Sequence, residues 1–404
     1  MSSTASHTRS PKDHSHPAMA LILAMAMALG PLALDTYLPA FPAMAADLGV
    51  SVHEVSLTIS LYVFVMAFGQ LFGGPLSDRF GRDRIMLAGM AIFSLSSLLI
   101  WMASSLTEVI ALRVVQAFGG GWAMVCVPAL VRDRLSGQEA ARFFSLIGLM
   151  MVVAPAVAPS VGSLLLTYSG WGGIFAFLCG YSFLVILLLR MVVFSDYQRP
   201  QHEAHISALG RYKAVLETRG AMRFILAGAM GFSVMLLFIT HASFIYQEHF
   251  GVTPTVFALL FGANVIMMMA MNLTNRQMLK RFLPVQVLRW ALTLQFFALI
   301  LLLTISLAGA GLMLFVPALI LSIGMLGAVS PNTQACYMEY FPRHGGTAAA
   351  LMGASQFSIA GLISAASTLL PASISAIIAA QLACSAICVA LMWTAPKHPA
   401  AAAT

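Results

Sequence analysis

Asp35, Arg113 and His241 are ionisable side chains set inside long apolar runs, and that placement is what gives them chemistry. A charge left alone in hydrocarbon costs roughly 3 kcal/mol or more, so such residues face the interior of a helix bundle and seek partners there. Asp35 stands about 25 Å along the helix that starts near Ala18, at ~1.5 Å per residue. Arg113 lies roughly 10 Å into a helix running the opposite way, so the two depths are compatible. Two roles suit the pair. One is a static ion pair that pins two helices; the other is a carboxyl that gains and loses a proton as a cavity opens to each side, with Arg113 governing its affinity for the proton. His241 carries a group that titrates near neutral pH. It reads either as a hydrogen-bonded interior residue or as a second proton carrier.

The elements that position these residues follow from composition. Hydrophobic residues make up 60% of the chain and charged residues 9%, against roughly 25% charged in an ordinary soluble domain. Apolar runs long enough to cross a ~30 Å hydrocarbon core as helices begin near Ala18, Val55, Ile85, Leu106, Phe143, Trp171, Met222, Thr255, Val285, Ala310, Thr347 and Pro371. The expected fold is an all-α membrane protein of twelve transmembrane helices in two six-helix pseudo-repeats.

Of the 21 Lys and Arg residues, only Arg113 falls well inside a span. The others occupy alternate connections: Arg79/Arg82/Arg84, Arg132/Arg134/Arg142, Arg190 to Arg223, Arg276 to Arg289, Arg343 and Lys397, together with Arg9 and Lys12. The positive-inside rule then puts both termini in the cytoplasm, and for a bacterial protein the membrane is the inner one. The opposite connections carry Asp47, Glu54, Glu108 and Glu248. The net charge of +7 is thereby accounted for by topology, and a nucleic-acid partner is not expected. The polar segment with His7, His14 and His16 reads as a solvated tail, with no leader cleaved after it. No metal or cofactor is expected, and the five cysteines form no C-x-x-C pair.

The chain divides into a tail (1–17), a first bundle (18–194), a hydrophilic linker (195–221), a second bundle (222–394) and a second tail (395–404). Laid over one another, the bundles bring Leu48-Gly49-Val50 to Phe250-Gly251-Val252, and Asp78-Arg79-Phe80 to Lys280-Arg281-Phe282. A weak repeat at matching topological positions suits parallel halves related by an axis along the membrane normal. Span five carries Pro155, Pro159 and Gly162. These serve either helix packing or a hinge that flexes as the halves rock.

The connection after span two reads Gly74-Pro75-Leu76-Ser77-Asp78-Arg79-Phe80-Gly81-Arg82-Asp83-Arg84. Gly74 suits close packing, Gly81 a turn, and Asp78 can cap a neighbouring helix. The segment resembles the signature loop of the major facilitator superfamily, G-x-L-x-D-R-x-G-R-R/K, departing from it at Asp83. The resemblance implies a gating loop at the cytoplasmic mouth, formed by Gly74, Asp78, Arg79, Gly81 and Arg82; the residues alone also serve as an orientation signal.

Asp35-Thr-Tyr-Leu-Pro-Ala-Phe-Pro, Leu112-Arg113-Val-Val-Gln116-Ala-Phe-Gly119 and the double-proline run of span five look like the bicyclomycin/chloramphenicol-resistance type of drug:proton antiporter. Ser243-Phe-Ile-Tyr246-Gln247-Glu248, Pro331-Asn332, Phe341-Pro342 and Gly346 extend the likeness over the chain. It implies a role in proton transfer for Arg113. Ala117 replaces the usual glycine after Gln116, and Met27 stands where some drug antiporters have a second membrane acid. Among polar and aromatic residues at depth, Tyr37, Tyr62, Gln116, His241, Phe244, Tyr246, Asn264, Asn332 and Gln356 are the expected substrate cavity.

The expected function is proton-coupled export of small, mostly hydrophobic compounds by alternating access, carried out by a monomer. A dedicated carrier for a metabolite such as a nucleoside or siderophore is the alternative within transport. A membrane enzyme would need a catalytic cluster such as H-E-x-x-H, which the sequence lacks. ATP drive is excluded because none of the four lysines stands in a phosphate-binding glycine loop.

Overall fold

The computed structural model describes residues 16–134, 137–195, 215–341 and 345–394. The tail before residue 16, the tail from residue 395, most of the 195–221 linker and Pro342 lie outside the described residues. Spans one to four are Ala18–Leu48, Val52–Phe80, Arg82–Trp101 and Leu106–Val131. Spans five and six lie within Leu146–Val193, where a single helical run is broken at Gly170 (φ 68°, ψ −177°). That break turns eleven long apolar helices into twelve spans. Spans seven to twelve are Gly220–His249, Pro254–Met278, Pro284–Leu307, Leu312–Met338, Thr347–Ser367 and Ile374–Trp393. Span twelve opens later than its apolar run, because Ser373 caps the Ala376 N–H and leaves Pro371 in the connection.

The sequence repeat has a conformational counterpart. Gly49 and Gly251 both take the left-handed conformation, at φ 67° and 64°, where a side chain would be strained. Two residues after each stands a hydroxyl that caps the next helix: Ser51 binds the Glu54 N–H in a capping box, and Thr253 binds the Val256 N–H. The same device closes spans one and seven and opens spans two and eight.

Span one is not a continuous helix. It runs helically to Asp35, passes through a 3-10 turn at Leu38–Ala40 and resumes at Phe41–Leu48. Pro39 and Pro42 lack the N–H groups that would bond the carbonyls of Asp35 and Leu38, so the helical ladder cannot pass through them. Span seven ends in a π-helical turn, Phe244–His249.

Spans one, four, seven and ten are the most thoroughly buried, and they carry Asp35, Arg113, His241 and Asn332. The first six spans meet the last six chiefly where span two packs on span eleven and span five on span eight. At Gly361 the span-eleven backbone lies so near Phe64 of span two that a methyl group would press on its Cα at 2.8 Å.

Candidate functional site

Arg113 is fully buried at the centre of the first six spans, and every acceptor it meets is neutral. Nη1 donates to Gln116 Oε1 at 2.6 Å, while Nη2 donates to the Ala33 carbonyl at 3.1 Å and the Tyr37 hydroxyl at 3.0 Å. The bonds continue outward in one direction. Tyr37 donates to Thr58 Oγ1, which donates to the Val55 carbonyl. Gln116 donates to Ser97 Oγ, which donates to the Phe93 carbonyl. The guanidinium also lies 4.1 Å from the ring centre of Tyr62, 4.5 Å from that of Tyr37 and 5.9 Å from that of Phe175. Such stacking is worth about 2 kcal/mol when desolvated. One side chain thus joins spans one, two, four and six directly, and span three through Gln116.

Asp35 is buried at the break in span one, between two residues that Arg113 holds, Ala33 and Tyr37. Its Oδ1 has no hydrogen-bond partner. The direct ion pair expected between Asp35 and Arg113 is not formed, since every acceptor of the guanidinium is neutral. The depths match as expected, but the span-one break turns the carboxyl aside from the fork that grips its neighbours.

Gly162 of span five lies directly on that break. A methyl group there would overlap the Thr36 carbonyl. Pro159 and Pro155 stand about one and two turns earlier in the same helix, and the carbonyl of the intervening Ala156 approaches Gly262 of span eight.

The nine residues expected to form a cavity are not brought together. Tyr37, Tyr62 and Gln116 surround Arg113. Tyr246 packs edge-on against Phe238 and Phe257. Asn264 bonds the Leu260 carbonyl on its own helix, and Asn332 bonds Asn275 of span eight at 2.6 Å. Gln356 lines a cleft of about 280 Å³ between spans seven, ten and eleven, with Phe232, Met235, Gln334 and Met352. His241 and Phe244 gather at the acidic end around His53, a residue not singled out in the sequence.

In the loop after span two, Gly81 makes the expected turn at φ 97°. The close packing expected at Gly74 falls one residue earlier, where a methyl on Gly73 would meet the Trp122 backbone at 3.0 Å. Asp78 caps no helix: it pairs with Arg82 at 3.2 Å and is half exposed. Arg82 is the hub, since it also binds Asp133 at the end of span four and reaches Ser77. Arg79 lies over the Phe80 ring. Both of these Arg82 ion pairs lie within the first six spans.

Residues 23–365 match the family described as Major Facilitator Superfamily. The chain is 28% identical to the bicyclomycin resistance protein homolog of Haemophilus influenzae, over 85% of this chain and 87% of that one. It is 29% identical to multidrug resistance protein D of Escherichia coli, over 87% and 88%. Its fold is similar to that of a D-xylose-proton symporter, with a TM-score of 0.78 at 13% identity over 95% of this chain and 99% of that one. The chain therefore belongs to the Major Facilitator Superfamily and is a multi-pass membrane transporter of small molecules.

Proposed function

We propose that this transporter exports small, mostly hydrophobic drugs across the bacterial inner membrane, driven by protons that Asp35 carries. The names of the relatives, a bicyclomycin resistance protein homolog and a multidrug resistance protein, support drug export over a dedicated metabolite carrier. The charge map supports cytoplasmic termini, with the Arg-rich end inside and the acidic end outside. Two bundles, 18–194 and 222–394, rock about the cavity, and one chain suffices for the cycle.

The observation that carries the proton assignment is that Arg113 binds Ala33 and Tyr37 on either side of Asp35 yet leaves the carboxyl itself unpaired. A lone buried carboxylate oxygen is costly, and a neutral acid much less so. In the arrangement seen, Asp35 therefore holds its proton. Rotation of the broken segment 35–40 brings the carboxyl onto the guanidinium, where a cation favours the ionised form and the proton leaves. Arg113 changes partners in this step, giving up a neutral acceptor for a charged one. Gly162 lets span one turn against span five, and the Arg82 contacts hold the inner end of the first bundle as a gate.

Transport into inverted vesicles with an imposed pH gradient, screened over a panel of neutral and cationic drugs, tests the proposal. Drug accumulation that collapses with the gradient is expected. Uptake indifferent to the gradient would refute proton coupling.

A further inference from the structure

At the acidic end, His53 of span two stacks on His241 of span seven, with ring centres 5.3 Å apart and planes inclined by 23°. The edge of Phe244 closes over His53. Their hydrogen bonds determine where each proton sits. His53 Nε2 lies 2.8 Å from the Thr368 carbonyl, which can only accept, so Nε2 carries the hydrogen. His241 Nε2 lies 2.8 Å from Ser367 Oγ, whose own hydrogen goes to the Ser364 carbonyl, so this Nε2 is also the donor. Both Nδ1 atoms are then bare lone pairs, and both are buried with no partner. Two free proton acceptors face a contact between the first six spans and the last six.

We propose that the stacked His53–His241 pair is a second proton-binding site, separate from Asp35, whose protonation releases span two from spans seven and eleven at the acidic end. One proton makes a cation beside a neutral ring. A second makes two stacked cations whose new N–H groups have no acceptor, and like charges so placed separate the elements that carry them. What separation breaks is specific: the His53 bond to Thr368 and the Ser60 bond to Ser364, both between spans two and eleven. Thr240 and His241 would keep spans seven and eleven together through Ser364 and Ser367, so the parting lies between the two sets of six.

The charged and titratable groups around the pair are few. On span two, Glu54 is exposed next to His53 and its carboxylate is held by Ser51. On span seven, Glu248 and His249 follow two turns on and are exposed. Span eleven brings only hydroxyls and carbonyls, and span one brings Asp35 and Tyr37, the latter engaged with Arg113. No carboxylate is hydrogen-bonded to either imidazole among the described residues; Glu54 attracts a charge on His53 only from solvent, without bonding its ring.

The test uses the whole protein in lipid nanodiscs, with spin labels at Ala46→Cys and Leu369→Cys, two exposed positions at the acidic end. Pulsed electron resonance between pH 8 and pH 5 reads their separation. The population of separated ends is expected to grow as the pH falls. His53→Gln and His241→Gln each keep an amide donor for Thr368 or Ser367 but cannot take up a proton, so each is expected to remove most of that growth, while Asp35→Asn retains it. An unchanged response in both Gln variants, or no response in the wild type, overturns the proposal. A response lost only in Asp35→Asn overturns it too, and leaves the proton-coupling role of Asp35 standing. Should the Gln variants fail to fold, ring-nitrogen NMR of the wild type decides: a proton on a bare Nδ1 in the sample whose ends have separated is expected, and separated ends with both Nδ1 atoms still bare contradict the site.

Discussion

Arg113 donates to the Tyr37 hydroxyl at 3.0 Å and stacks on the same ring at 4.5 Å, so one tyrosine holds the buried cation by its edge and by its face. Tyr37 is two residues beyond Asp35, and movement of the acid is therefore tied to a change in how the arginine is satisfied.

Tyr37→Phe keeps the ring and removes the hydroxyl that links Arg113 to Thr58. Losing a hydrogen bond to a charged group costs about 1.5–3 kcal/mol. The arginine, short of one acceptor, competes more strongly for the Asp35 carboxylate, and proton uptake then needs a more acidic medium. The half-point of the transport pH profile is expected to move to lower pH. An unmoved profile would mean that the Tyr37 bond has no part in coupling.

Arg113→Lys retains the charge but not the fork that reaches Gln116, Ala33 and Tyr37 together. Arg113→Ala removes both and opens a space among Tyr37, Tyr62 and Phe175. The pH dependence of transport is expected to change more in Arg113→Ala than in Arg113→Lys, and thermal melting of the detergent-purified Ala variant to fall further. Identical pH profiles for the wild type and both variants would remove Arg113 from the coupling step.

Gly162→Ala pushes a methyl group into the Thr36 carbonyl at the span-one break. Overpacking of this kind costs about 1–3 kcal/mol. Gly148→Ala in the same helix meets no atom within 4 Å and serves as the control. A lower melting temperature and slower transport are expected for the first and neither for the second. Equal behaviour of the two would show that span one does not bear on Gly162.

Arg82 binds Asp133 and Ser77, whereas Asp78 is half exposed and holds only the remaining side of Arg82. Asp133→Asn is therefore expected to loosen the inner ends of spans two and four more than Asp78→Ala. Cysteine accessibility at the basic ends of those spans, with drug affinity measured alongside, gives the comparison. A larger effect from Asp78→Ala would shift the gate back to the acid that the motif singles out.

Much of this architecture was legible in the sequence, because lipid imposes simple rules. The twelve apolar runs and the paired Leu48-Gly49-Val50 and Phe250-Gly251-Val252 segments report backbone requirements that chemistry states locally. The depths of Asp35 and Arg113 were legible for the same reason. Which way each side chain turns was not, because that depends on Pro39 and Pro42 breaking span one and on Gly162 admitting its backbone. The polar residues proposed for one cavity were chosen by depth alone, and depth does not distinguish Tyr246, packed on phenylalanines, from Gln356, beside the cleft. His53 was not singled out in the sequence, and only the meeting of spans two and seven stacks it on His241.

The central claim is that Asp35 carries the proton that drives export. Its most direct measurement is uphill drug accumulation in inverted vesicles containing Asp35→Asn, set beside downhill drug exchange in the same vesicles without a gradient. The account predicts that accumulation against the drug gradient vanishes while exchange persists, because the amide still lets the bundles alternate but has no proton to release when it meets Arg113. Full uphill accumulation by Asp35→Asn under an imposed proton gradient would contradict it.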